Sequence, residues 1–410
     1  MRKSRFFILP FAISGLLFLG ACDEYVQGVD PLINVVEDDL LDEEANLPFL
    51  SNGVRVRFAD THDFLGVLSD GLSDLFEFDQ SVNSATFPTF EQLDMGLIDL
   101  DNNSVDGGFR RLGELRFFAD NLVERAAALD AGAEEVVDAL FVGKFSGAMA
   151  RYFYAANFGL SETVGGGVID GGPFIPSADL YASAITLWTA SLAHTTDANV
   201  IASINSLIAR AHLFNGNYAS AATAAMLGLS DGMDGLESEY SSVSTNYYYQ
   251  QAGKGRTQFV VANRFIDYVT ADANEASRVI IDTLRSNAIP DSLRSYQVKY
   301  PLSSTPLPVI TWQENTLMLA ELALRGQATG TPLDLVNDVR DSHGIADLTA
   351  VDLDVIYEER DKELFCLGLR LVDQRRFEGE LTMTTWHLGA GTWKYMPIPE
   401  NERLRNDNID

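Results

Sequence analysis

A chain of 410 residues, 46 % of them hydrophobic, carries enough apolar side chain to build a large core. Its formal charge of −30, from 29 basic and 59 acidic residues, excludes a nucleic-acid binder, whose affinity comes from neutralising phosphates. With two cysteines, Cys22 and Cys366, no disulfide framework is possible once Cys22 is committed elsewhere, so stability must come from packing.

The first residues commit Cys22. Arg2, Lys3 and Arg5 precede an apolar run from Phe6 to Leu19, broken once by Pro10, and Leu19-Gly20-Ala21-Cys22 closes it with small residues on a cysteine. Residues 1–21 read as a secretory signal, in a run shorter than the ~20 residues of a membrane-spanning helix. The Leu-Gly-Ala-Cys run resembles a bacterial lipobox, which implies cleavage before Cys22 and lipidation of its thiol. So acidic a chain is repelled by anionic lipid, and acyl chains would have to hold it at the membrane.

Residues 22–46 follow as an acidic tether, with Asp23-Glu24, Glu37-Asp38-Asp39 and Asp42-Glu43-Glu44 read as solvated charge. Residues 47–410 read as one domain. Its stretch 52–103, with Phe76, Phe78, Phe87 and Phe90 among acidic residues, carries no repeat pattern and is expected to be irregular. From Asp106 the pattern turns helical. Leu112, Leu115, Ala119, Leu122, Ala126 and Leu129 recur at three- and four-residue steps, and Val137, Leu140, Phe141, Phe145, Ala148 and Tyr152 do so between Glu134 and Phe158. Leu180, Ala184, Leu187, Trp188 and Leu192 mark a third helix. Two more are expected in Ile201–Leu229, two in Glu314–Arg325 and Thr331–Ser342, and a last long one from Leu353 to Arg375. Between Ser230 and Pro308 seven tyrosines crowd among Gly, Ser and Asn, which predicts an irregular excursion; such segments are often functional.

Leu207–Tyr218 with Ala221 resembles half a tetratricopeptide repeat: alanines let paired helices approach, and Asn215-Gly216-Asn217 makes the turn. The C-terminal third carries the wider resemblance. Glu359-Arg360-Asp361-Lys362-Glu363-Leu364-Phe365, then Gly368, Arg370, Asp373 and Arg376, is similar to the signature helix of the SusD/RagB nutrient-uptake lipoproteins. Pro397-Ile398-Pro399, Glu402 and Asn406 match that family's closing stretch, and Trp312, Glu314, Ala320-Glu321, Asn337, Val339-Arg340 and Gly344 resemble the preceding helix pair. Leu367 and Gln374 depart from it, standing where the family has Glu and Leu. The motif residues read as structural. Glu359, Glu363 and Arg370, at steps of four and seven, can pair with one another or with neighbouring helix ends, and Gly368 permits close approach. The resemblance implies a mainly α fold of tetratricopeptide-like stacked helical pairs with loop-rich ligand-binding excursions. It also implies an outer-membrane lipoprotein, exposed at the cell surface, that passes a glycan, or in some relatives a peptide, to a SusC-like TonB-dependent barrel.

No catalytic constellation emerges. The five histidines are scattered outside any zinc spacing. Ser146 falls one place late for a nucleophile elbow in Gly143–Gly147, and the neighbours Glu358 and Glu359 cannot flank one bond. Asp99, Asp101 and Asn103 begin like a calcium loop but lack its glycine and final carboxylate. Gly165–Gly167 and Gly171-Gly172 read as flexible loop. No metal, cofactor or enzymatic activity is therefore expected. Binding remains: rings stack on sugar faces while polar side chains read hydroxyls. The candidate contacts are Tyr247, Tyr248 and Tyr249, with Phe76, Phe78 and Asp74. A surface hydrolase feeding the same uptake system and a tetratricopeptide-type scaffold are the alternatives.

Overall fold

The structure, a computed structural model, describes residues 38–81, 85–285 and 293–409. The signal segment, Cys22 and the tether up to residue 37 lie outside the described residues. The tether's last part, Asp38–Asn46, forms short 3-10 turns held to the body by Arg125, which reaches Asp38 at 2.6 Å and Asp42 at 2.5 Å.

The stretch expected to be irregular begins with the longest helix of the described chain, α1 (Leu47–Leu72). Every residue from Thr61 to Leu72 is buried. A helix covered on all sides has no apolar stripe, so the periodic signal vanished where the burial was greatest. Its glycines make room for neighbours: a Cβ at Gly66 would lie 2.7 Å from Tyr248 Oη, and one at Gly71 2.7 Å from the Phe259 ring. A short helix α2 (Thr89–Met95) follows, with Phe90 and Leu93 buried.

The helices expected from periodicity are present. Helix α3 (Asn103–Ala127) buries Leu112, Leu115, Ala119, Leu122 and Ala126, and Asn102 caps it by accepting from the Ser104 and Val105 amides at 3.1 Å. The calcium-like run is thus a helix start. Helix α4 (Glu134–Asn157) packs along α3 where Gly143 leaves no space for a side chain against Ala119 O. Helices α5 (Ser177–Ser191), α6 (Ala198–Phe214) and α7 (Tyr218–Ala225) continue the stack, each on the last. The turn between α6 and α7 uses Gly216 at φ +72°. The Gly-rich run between α4 and α5, expected to be a flexible loop, is an ordered hairpin that pairs Gly166-Gly167 with Ile175-Pro176. Its glycines admit the rings of Tyr154 and Tyr395, which side chains there would displace.

The excursion after α7 is built of short pieces. Glu237-Ser238 pairs with Leu307-Pro308, Phe259–Val261 with Phe76–Phe78, and Ile281–Arg285 with Leu293–Gln297. Two helices lie among them, α8 (Tyr247–Gln251) and α9 (Asn263–Ala271). Helices α10 (Trp312–Leu324) and α11 (Pro332–Ser342) then extend the stack, α10 packing against α7.

The last long helix is in fact two, α12 (Leu353–Glu363) and α13 (Arg370–Arg376). Cys366 at φ +57° and Gly368 at φ +70° break it, and residues 364–369 plunge against α1. There the Gly368 amide donates to Asp70 Oδ2 at 3.1 Å, and a Cβ on Gly368 would stand 2.7 Å from Gly66 Cα. A short helix α14 (Glu400–Arg403) ends the fold after Met396-Pro397 pairs in parallel with Phe158-Gly159.

Candidate functional site

The aromatic residues singled out by sequence separate into core and surface. Tyr248 is fully buried, its Oη donating to Asp70 Oδ2 at 2.6 Å. Phe76 is buried too, stacked on Phe259 with centroids 5.7 Å apart, and half-buried Phe78 meets Phe259 and Phe90 edge-on. Asp74 accepts from Arg370 Nε at 2.7 Å and from Arg264 Nη2 at 3.0 Å. Burial would raise its carboxyl, but Arg370 and Arg264 hold it below the ordinary carboxylate range. These four hold the excursion to α1 and the signature region, with Tyr248 and Phe76 closed off from solvent and Phe78 and Asp74 half-buried. Tyr249 is half-buried, and its carbonyl accepts from the Gly255 amide at 2.9 Å. Of the six, Tyr247 lines an open cleft.

That cleft has a volume of about 500 Å3 and lies between α1, α3 and the start of α8. Tyr247 stacks on Phe64 of α1, centroids 4.6 Å apart and planes 26° inclined. The Arg111 guanidinium stands 4.1 Å from the centroid of the same Phe64 ring. Asp60 accepts from Arg111 Nε at 3.1 Å and from Arg57 Nη1 at 2.8 Å, and Arg57 also reaches Glu114 at 3.1 Å. Beneath, Asp63 Oδ2 accepts the Tyr247 amide at 2.6 Å and so fixes the first turn of α8. Burial pushes the Asp63 carboxyl well above its usual range despite that hydrogen bond. Burial also pushes the Tyr247 phenol up to about 12, keeping it a neutral hydroxyl at physiological pH. Gln250, Thr245 and Phe118 complete the wall. Rings, guanidinium donors, a carboxylate and an amide around one concavity suit a polyhydroxylated ligand with apolar faces.

Nothing in this cleft pairs a nucleophile with a base. The histidine–serine contact in the described chain, His62 Nδ1 to Ser238 Oγ at 2.9 Å, is buried elsewhere, and burial, with Arg210 nearby, lowers His62 to about 3. Among the described residues no group of three or more His, Cys, Asp or Glu is arranged to hold a metal ion.

Sequence reasoning missed Phe64, Arg111 and Phe118. Phe64 lay in the stretch read as irregular and Arg111 in ordinary helical pattern, so neither carried a separate signal. Phe118 did carry one: together with Phe117 it stands off the stripe that α3 buries, where a large ring needs another reason.

Neither a protein-family model nor a curated protein matches this sequence. Solved structures do. A SusD superfamily protein from Bacteroides vulgatus is similar over 90 % of this chain and 98 % of its own, with a TM-score of 0.70 at 14 % identity. The chain has the SusD-like fold. A laminarin-binding SusD-like protein is similar over 88 % of this chain and 98 % of its own, with a TM-score of 0.69 at 14 % identity. NanU of B. fragilis covers 93 % and 99 %, with a TM-score of 0.66 at 11 % identity.

Within this SusD-like fold the signature residues are internal braces. Arg360 and Arg376 both donate to Asp373, at 2.9 and 2.7 Å, but Glu359, Glu363 and Arg370 do not pair with one another as their spacing allowed. Glu359 accepts from Arg278 Nη2 at 2.7 Å and Arg340 Nη1 at 2.6 Å, Glu363 meets His343 at 2.9 Å, and Arg370 turns to Asp74. The two departures fit their places. Leu367 is buried beside a small enclosed cavity, and Gln374 donates to Thr385 O at 2.9 Å while accepting the Asp74 amide at 3.3 Å.

Proposed function

We propose that this protein is a cell-surface lipoprotein, anchored through Cys22, that binds a nutrient glycan and delivers it to a SusC-like TonB-dependent barrel. The observation that carries the binding reading is the Tyr247–Phe64–Arg111–Asp60 cleft, set in a SusD-like fold. Two proteins of the same fold are described as laminarin-binding and as a SusD-like carbohydrate-binding protein. The lipobox-like run at Leu19–Cys22 supports the anchor, and the SusD/RagB resemblance supports the barrel. The stack of helices offers the broad surface that repeat architectures present to partners. The protein would act as a binder that closes over its transporter, without cleaving what it holds.

Gentle detergent extraction from the native host tests the assembly. A barrel recovered with this protein in near-equal amount is the expected result. Recovery as a free lipoprotein, with growth on every glycan unaffected by deletion, would overturn the delivery role.

A further inference from the structure

A second cleft lies on the opposite flank of α3. It has a volume of about 520 Å3 and is walled by Phe117, Tyr154, Arg116, Asp170 and, from the C-terminal end, Asn401 and Arg405. The Phe118 ring lines both clefts. The polar crest between them is also shared: Glu114 binds Arg57 of the first cleft at 3.1 Å and Arg110 of the second at 3.3 Å. Helical spacing explains the arrangement. Arg110, Glu114 and Phe117, at steps of four and three, form the crest, while Arg111 and Phe118, two turns apart, face the first cleft.

Phe117 and Phe118 are 53 % and 42 % exposed, tilted at 60° with centroids 6.0 Å apart. Two adjacent phenyl rings left this far in water on one helix form an apolar platform. The turn beyond it holds Asp170 at φ +53°, uncommon for a residue with a side chain, and Arg116 pairs with its carboxylate in a fork.

We propose that the two clefts and the Phe117–Phe118 platform form one continuous groove for an extended oligosaccharide, with Phe118 as the ring on which its middle sugars stack. This rests on the glycan-binding reading and specifies it. Either cleft alone has the size of a site for one compact ligand. A ligand that fills both must be a chain, and it must cross the crest at Phe118. The concave, mixed-polarity walls favour a sugar chain over a flat protein contact, whose centre would be depleted of charge. Arg57, Arg110, Arg111, Arg116 and Arg405 line the two clefts together with Asp60, Asp106, Glu114, Asp170 and Glu402, so these lining charges balance. The groove accordingly takes a neutral chain in preference to an acidic one.

The test is calorimetric titration of the purified full chain in detergent with neutral oligosaccharide series, each from disaccharide to octasaccharide: α-1,4- and β-1,3-glucan, mannan and xylan fragments. At least one series should bind, with affinity rising along it. Phe118→Ala should weaken the longest bound member by about tenfold or more, as loss of a stacking ring does. Asn401→Ala, in the far cleft, should weaken long members and spare the shortest. Unchanged unfolding temperatures, expected for exposed positions, show that the variants are folded. Affinity independent of length, or an octasaccharide indifferent to Phe118→Ala, would overturn the groove and leave single-cleft binding standing. If no series binds, the glycan reading falls and the groove with it. Loss of the co-extracted barrel in Phe117→Ala/Phe118→Ala, with glycan affinity intact, would make this face a protein contact instead.

Discussion

Replacing Gly368 by alanine probes the contact that breaks the C-terminal helix. Gly368 holds φ +70°, where an L side chain costs about 1–2 kcal/mol. The new Cβ would stand 2.7 Å from Gly66 Cα, which is backbone of a buried helix and cannot swing aside. Forcing an atom into such a packed site costs about 1–3 kcal/mol, and alanine recovers roughly 0.4–1 kcal/mol by restricting the unfolded chain. The net loss should be about 2–4 kcal/mol. Gly379→Ala is the control: it has the same backbone sign, φ +79°, and nothing within 4 Å of its Cβ. It should lose only about 1 kcal/mol. Urea unfolding followed by circular dichroism measures both, at unchanged slope. If Gly368→Ala costs no more than Gly379→Ala, the close approach of residues 364–369 to α1 is not what shapes this region.

Asp70 makes stability depend on pH. Its carboxyl is raised to about 7, first by burial and against the hydrogen bond from Tyr248, so its protonated form stabilises the fold. That contribution is full below about pH 4 and is lost as pH rises through 7, by up to about 4 kcal/mol. Asp70→Asn should therefore gain on the parent chain between pH 5 and pH 8 in urea unfolding; an unchanged difference would refute it. Arg210 pairs with Glu314 at 2.6 Å, both buried, so Arg210→Met should cost about 3–5 kcal/mol by stranding the glutamate. Adding Glu314→Leu should restore most of that in thermal unfolding. Tyr247→Ala should weaken glycan binding by about 1–3 kcal/mol in calorimetry, and no change would place the ligand elsewhere. Cys22→Ser should move the protein out of the membrane fraction or leave it unprocessed; a lipidated, mature variant would contradict the anchor.

Helix α3 was legible because one of its faces is wet. The stripe Leu112–Leu115–Ala119–Leu122–Ala126 is the face that α3 buries. The tight turn at Gly216 was legible for its backbone freedom, whereas Gly368 was read for close approach and not as the break in the helix that it makes. What failed did so through burial. The second half of α1, Thr61–Leu72, carries no stripe because it is surrounded, and the tyrosine excursion looked like a ligand surface because aromatic density does not distinguish a loop from a core. Tyr248 and Phe76 went inward, while Tyr247, one residue away, stayed at a cleft. Asp74 was read as a ligand contact, yet its arginines arrive from nearly two hundred and three hundred residues along the chain, beyond the reach of any local pattern.

Binding without turnover is the central claim. Titrating the purified chain with a broad glycan panel, then chromatographing each ligand after long incubation, measures both halves at once. The expected result is saturable binding of a neutral glycan, micromolar or weaker because an open cleft buries little surface, with the ligand recovered at its original length. A panel that does not bind, or a bound glycan recovered as shorter products, would contradict it.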